Sequence, residues 1–256
     1  MLKDDIAYRI RGTALFVPAR VAYRAMFAGK LAAQRQTRMR AFYSKFVRPS
    51  ETVFDIGANI GEYTDVFASL GATVIAVEPN PACVRKLRTV VRRRPGVRLE
   101  EAAVGEVPGS AQLYVCSESL YSSMNAEWVH NSRSVKGYER VGWTAIHVQV
   151  LTLDALAAQF GVPTFIKIDV EGYEREVLRG MSFTPRYVSF EWNAPMPHVA
   201  AECIHFLGSR GFVFNCIHGR DLEFLHPRWL TAPEAERWLS TYVGTAEYGD
   251  MFARRM

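Results

Sequence analysis

Cysteine is scarce and scattered. Cys83, Cys116, Cys203 and Cys216 form no CxxC pair and no Cys/His cluster at zinc spacing. They read as packed or free thiols of a reducing compartment rather than as a disulfide framework. No run of apolar residues is long enough to span a bilayer. The early stretch ALFVPARVAYRAMFAGKLAA is broken by Arg20, Arg24 and Lys30, so it offers no unbroken signal-peptide core. Internal repeats and low-complexity tracts are missing too. Acids are nearly absent from the first fifty positions, which hold eleven Lys/Arg against two acids, a surplus of +9. The remaining positions hold twenty Lys/Arg against twenty-four acids, a balance of −4.

What is present is a chain of 256 residues, 49% hydrophobic. That suits one domain with a full-sized core, or one domain with an arm. We read residues 1–48 as a basic helical N-terminal arm and 49–256 as the domain, with an insert at about 106–150. The arm's Leu15, Phe16, Val17, Val21, Tyr23, Met26, Phe27 and Leu31 would let it dock on the body or lie on a membrane. Its charge suits an anionic surface, so peripheral membrane contact is open. The body is mildly acidic and shows no RNA-binding signature, so a nucleic-acid partner is not expected. A cytoplasmic protein, with membrane association through the arm left open, is the expectation.

After Pro49-Ser50, strands and helices alternate. TVFDI reads as a strand, NIGEYTDVFASLG as a helix ended by Gly71, and TVIAVEP as a second strand. NPACVRKLRTVVRRRPG opens a helix at Asn80 with Pro81 in its first turn. VRLEEAAVG reads as a third strand. Apolar strands between helices imply an α/β fold with a mostly parallel sheet covered on both faces. AQLYVC and AIHVQVL read as pairing β segments around a polar, Ser- and Tyr-rich stretch too long for a plain connection. The α/β rhythm then resumes through LTLDALAAQFG, TFIKIDVEG, YEREVLRGM, RYVSFEWN and HVAAECIHFLGSRG. FVFNCIH and DLEFLHP read as a terminal hairpin around Gly219-Arg220. The tail from Ala232 reads as a helix followed by a loose end.

Two stretches carry chemistry. In VFDIGANIGEYT, Asp55 closes a strand, and Gly57 and Gly61 let the backbone bend and approach a ligand. The spacing is not the dinucleotide G-x-G-x-x-G. The next strand ends in Glu78, placed to take two ribose hydroxyls. Asp55 puts negative charge where a pyrophosphate would sit, so a cofactor bearing ammonium or sulfonium fits better than NAD. S-adenosyl-L-methionine carries both. In FIKIDVEGYEREVLRG, alternation turns Lys167 and Asp169 to one face, and Asp169 is a plausible partner for a lysine among apolar neighbours.

These stretches, with AVEPNP and LTLDAL between them, closely resemble the FkbM-type methyltransferase family from about residue 50 to about 195. IKIDVEG-x-E-x-x-VL-x-G is the specific element. The resemblance implies a Rossmann-like class I methyltransferase with a seven-stranded sheet, and O-methylation with S-adenosyl-L-methionine. It implies a hydroxyl acceptor on a saccharide, glycolipid or secondary metabolite. Carried over residue by residue, Asp55, Gly57, Asn59 and Gly61 would line the methionine part. Glu78 would hold the ribose, Ala103 would lie near the adenine, and Asp169 would sit beside the methionine end or the transferred methyl. Methylation of protein or RNA, or a non-catalytic cofactor-binding scaffold, are the rival readings.

A hydroxyl acceptor needs its proton removed as the bond to methyl forms, work for a positioned base. The candidates are Asp169, Glu171, His147 and His130. No metal site is expected: Asp169, Glu191 and Asn193 fall at strand ends where oxygen ligands suit magnesium, but a polar acceptor pocket explains them as well. Tyr121, Trp128, Tyr138 and Trp143 in the insert suit sugar rings and equally suit packing under a loop.

Overall fold

The computed structural model describes residues 31–116, 122–132, 142–245 and 247–256. Eleven strands appear among them: β1 Thr52–Ile56, β2 Thr73–Val77, β3 Val97–Glu100, β4 Ala103–Val104, β5 Gly109–Cys116, β6 Ser122–Ser123, β7 Trp143–Leu151, β8 Phe165–Ile168, β9 Tyr187–Asn193, β10 Phe212–Cys216 and β11 Tyr248–Arg255. The helices are α1 over 31–43, α2 Glu62–Ser69, α3 Pro81–Arg93, α4 Ala126–Ser132, α5 Leu153–Phe160, α6 Glu174–Arg179, α7 Pro197–Gly208 and α8 Ala232–Ser240.

The main sheet has seven strands in the order β10-β11-β9-β8-β1-β2-β3. β1 pairs in parallel with both β2 and β8, and β8 with β9. The chain winds outward from β1 to β3 and then restarts on the other side at β8. Strand order therefore reverses between β1 and β8, which is where α/β sheets of this kind bind ligands. The central strands are apolar on both faces because helices cover both. Phe54 and Ile56 of β1 join a core with α5, α6, α7 and α8, while Val53 joins the opposite core with α2 and α3.

Residues at the end of the basic arm belong to that second core. Met39, Phe42, Tyr43, Phe46 and Val47 are buried against Phe67, Phe165 and Phe252. The rings of Phe46 and Phe252 stack at 5.3 Å. Each such side chain contributes about 1.5–3 kcal/mol relative to exposure. So α1 is part of the domain, and a boundary at residue 48 cuts through packed structure. Residues 1–30, which carry most of the arm's expected docking residues, lie outside the described residues. Among the described residues, no helix is long and apolar enough to cross a membrane.

The insert forms a second sheet, β4-β7-β5-β6, in which β5 and β7 pair antiparallel over their length. VRLEEAAVG is therefore two elements: β3 in the main sheet and β4, which leaves it to pair with β7. The end of the chain also differs from expectation. β10 pairs with β11, not with DLEFLHP, which has no strand of its own. β11 lies between β10 and β9, antiparallel to both. The expected loose end is thus an interior strand. Gly249 and Asp250 hide its alternation: the glycine lets the Ile217 carbonyl come close, and Asp250 faces a buried lysine.

Candidate active site

The loop after β1 is shaped by three left-handed residues, Gly57 (φ 78°), Asn59 (φ 51°) and Gly61 (φ 90°). A side chain on Gly57 would place Cβ 1.9 Å from the Asp169 carbonyl oxygen, so only glycine lets the β1 loop meet the end of β8. Gly61 serves packing instead: its Cβ would meet Leu87 of α3 at 2.6 Å. The Gly57 and Ala58 amides donate to the Val77 carbonyl at 2.9 and 3.0 Å, tying the loop to the end of β2.

Glu78 follows β2 directly. Its two carboxylate oxygens accept from the Asn59 amide at 2.8 Å and the Asn80 amide at 2.7 Å. Burial pushes its pKa up to about 7, against the pull of those two bonds. Asn80 also caps α3, its side chain accepting from the Ala82 amide. Asp55 lies behind the loop at 1% exposure and accepts from Thr64 Oγ1 at 2.5 Å. Burial raises its pKa to about 6 despite that bond.

At the end of β8, fully buried Lys167 donates to Asp169 at 2.9 Å and faces Asp250 at 3.5 Å. Burial would lower the lysine's pKa, but the two carboxylates reverse this and hold it well above its ordinary value. The turn that follows is strained, with Glu171 at φ 55° and Gly172 at φ 88°. Buried Glu174 braces it by accepting from the Val170 and Gly172 amides, both at 3.2 Å. From the insert, Ser123 Oγ donates to the Glu171 carbonyl at 2.6 Å, and Asn125 Nδ2 to the Gly172 carbonyl at 2.7 Å.

Carboxylate oxygens of Asp169, Glu171 and Glu191 lie within 4.8 Å of one another. Desolvation in the cleft, and then the neighbouring acids, push Glu171 and Glu191 well above the usual carboxylate range.

A cavity of about 690 Å³ opens at this switch point, a volume in the ordinary range for small-molecule sites. Gly57, Asn59, Glu78, Ala103, Asp169 and Glu171 all line it. Asp55 and Gly61 are not among its lining residues, so neither meets the cavity as the sequence suggests. His147 and His130 are also away from it. His147 is exposed in the middle of β7 opposite Gln112, and His130 is exposed on α4. A histidine in a half-exposed strand or helix turns outward when the inner face is apolar.

Sequence reasoning missed Glu174, Asp250, Ser123 and Asn125. Glu174 was legible as an acid opening a helix just after the DVEG turn. Asp250 was legible as a lone acid in GDMFA, costly to bury without a cation. The two insert residues carry no sequence signal.

A doubly wound sheet with an acid after its second strand and a cleft at the switch point is a Rossmann-like α/β fold. The chain belongs to the methyltransferase FkbM domain family, whose model matches residues 55–214. It is 31% identical over 159 residues to the 31-O-demethyl-FK506 methyltransferase FkbM of Streptomyces tacrolimicus, covering 53% of this chain and 61% of that protein. It is 28% identical over 143 residues to the hexuronic acid methyltransferase AglP of Haloferax volcanii, covering 55% of this chain and 54% of that protein. The chain thus spans between half and two thirds of each relative. Among solved structures it is similar to precorrin-6y C5,15-methyltransferase from Geobacter metallireducens, with a TM-score of 0.43 and 11% identity over 88% of this chain and 89% of that one. It is also similar to Aeropyrum pernix fibrillarin, solved with bound S-adenosyl-L-methionine, with a TM-score of 0.41 and 13% identity over 80% of this chain and 68% of that one. Likeness at this distance bears on no point of chemistry.

Proposed function

We propose that the chain is an S-adenosyl-L-methionine-dependent O-methyltransferase acting on a hydroxyl of a saccharide, glycolipid or secondary metabolite. The observation that carries this reading is one cavity lined by Glu78, Asp169 and Glu171 together. The donor set fits the cofactor: a carboxylate for ribose hydroxyls, an apolar side from Val77 and Ala103 for a flat base, and acids for a cationic methionine end. The cofactor, when bound, supplies an electrophilic methyl on sulfur.

The chain's own residues do the rest. Glu78 keeps lone pairs beyond those taken by the Asn59 and Asn80 amides, and these accept the ribose hydroxyls. Asp169 is held by Lys167 at 2.9 Å, so one of its oxygens is already engaged. Glu171 forms no ion pair among the described residues, and its raised pKa suits it to take the acceptor's proton. Trp128 and Tyr248 also line the cavity, and aromatic faces suit sugar rings. One relative is named for an O-demethyl compound and so for an oxygen acceptor, and the other for a hexuronic acid, which supports an acceptor of the sugar or secondary-metabolite kind.

The test is transfer from methyl-labelled S-adenosyl-L-methionine to a panel of neutral glycosides, hexuronic acid glycosides and macrolide alcohols. Labelled methyl ether on one acceptor class is the expected result. Cofactor binding without transfer to any of them would favour a scaffold.

A further inference from the structure

We infer that Ser123 and Asn125 of the insert are positioning residues for the Glu171 carboxylate, so that the segment facing the acceptor also sets the base. This rests on the proposed reaction and adds a role that the motif residues do not have.

The DVEG turn cannot hold its own shape cheaply. Glu171 occupies left-handed backbone, which costs a non-glycine residue on the order of 1 kcal/mol or more. Strain of this size persists only where the surroundings over-determine it. Glu174 braces the turn from inside by taking the Val170 and Gly172 amides. The Glu171 and Gly172 carbonyls have other partners, and both come from the insert, 48 and 47 residues away in sequence. Ser123 is 1% exposed. Its Oγ donates to the Glu171 carbonyl and accepts from the Asn125 amide at 2.9 Å, so the two residues act as one clip. Asn125 Oδ1 meanwhile accepts from the Glu127 amide at the start of α4.

A third contact closes the arrangement. Trp128 of α4 lies flush on Gly172, where a Cβ would come within 2.9 Å of the indole. Trp128 is itself held edge-on by Trp143 of β7, with ring centroids 5.8 Å apart. Ser123, Met124 and Trp128 also line the cavity. With the Glu171 and Gly172 carbonyls pinned, the Glu171 side chain leaves the turn in one direction, toward Asp169 and Glu191. Released, the strained backbone would relax and carry the carboxylate out of line with the acceptor.

The test compares the full-length chain with Ser123→Ala, Asn125→Ala and the conservative Ser123→Thr. Amide hydrogen exchange reads the 169–174 turn, calorimetry reads S-adenosyl-L-methionine affinity, and labelled-methyl transfer to the glycoside and macrolide panel reads kcat and acceptor KM. We expect turn exchange at least tenfold faster in both alanine variants, with kcat down 10- to 100-fold. Cofactor affinity and acceptor KM should stay within threefold of wild type, and Ser123→Thr should recover most of the lost kcat. Turn exchange unchanged in both alanine variants would overturn the inference, as would kcat unchanged despite a loosened turn. Cofactor affinity falling in step with kcat would also overturn it, showing a general structural loss. Absence of transfer by the wild type would sink the proposed reaction instead, and the exchange measurement would still decide whether the insert holds the turn.

Discussion

Lys167 Nζ lies 2.9 Å from Asp169 Oδ2, with the lysine side chain at 1% exposure and the aspartate side chain at 32%. The ammonium also sits 4.4 Å from the centre of the Tyr63 ring. A buried cation thus stands directly beneath the acids of the cleft and ties them to the middle of the sheet through Asp250. Removing it should cost more than a surface pair would. Lys167→Met strands two carboxylates, one of them buried. We expect a loss of about 2–4 kcal/mol in unfolding free energy, the lower part of the range reflecting the water that reaches Asp169. Urea unfolding checks it, and a change below about 1 kcal/mol would show that the pair is not structural.

The acids behind the cleft predict a pH dependence. Glu78 and Glu174 are raised by burial to about 7, and Asp55 to about 6. Between the ordinary carboxylate range and these values, the folded chain keeps protons that the unfolded chain has released. The stability these groups contribute is therefore complete below the ordinary range, and it is lost as pH climbs to about 7. For Glu78 alone the loss is on the order of 3 kcal/mol. Glu78→Gln, which cannot ionise, should flatten that part of the curve when denaturant midpoints are compared at pH 5 and pH 8. An unaltered slope would mean that Glu78 titrates normally.

The two glycines of the β1 loop should respond differently. Gly57→Ala forces Cβ against the Asp169 carbonyl in left-handed backbone, and it should cost at least about 2 kcal/mol and displace the DVEG turn. Gly61→Ala meets mainly the tip of Leu87, a flexible side chain, and should cost about 1–2 kcal/mol with cofactor affinity largely kept. Thermal melts and cofactor titration of both variants decide this. Equal loss of affinity would place Gly61 at the ligand after all.

Binding and turnover should separate between Glu78 and Glu171. Glu78→Ala should weaken S-adenosyl-L-methionine by about 1.5–3 kcal/mol, the worth of a charged hydrogen-bond partner. Glu171→Gln should cut turnover by roughly 100- to 10,000-fold with affinity little changed. Affinity that falls with Glu171→Gln while saturated turnover stays normal would make Glu171 a cofactor residue only.

The central half of the sheet was legible because its strands are short apolar runs set off by Gly, Pro and Asn. Asp55, Glu78 and Asp169 could be placed at strand ends by counting. The last strand was not legible: Gly249 and Asp250 break its alternation, and its partners lie about 35 to 65 residues earlier in the chain. The site was readable where a motif runs along one strand and turn, as in IKIDVEG. It was unreadable where the chain folds back from afar, as with Ser123 and Asn125 on the DVEG turn. The histidines mislead because residue type alone does not say which face an element buries.

The most direct measurement is calorimetric titration of the full chain with S-adenosyl-L-methionine and S-adenosylhomocysteine, with NAD as control, at pH 6 and pH 8. Glu78 must be charged to accept ribose hydroxyls, and its pKa near 7 should fall on binding. The account predicts micromolar binding of the first two ligands, none of NAD, tighter binding at pH 8, and proton release at pH 6. No binding of either ligand at both pH values, or binding of NAD in their place, would contradict it.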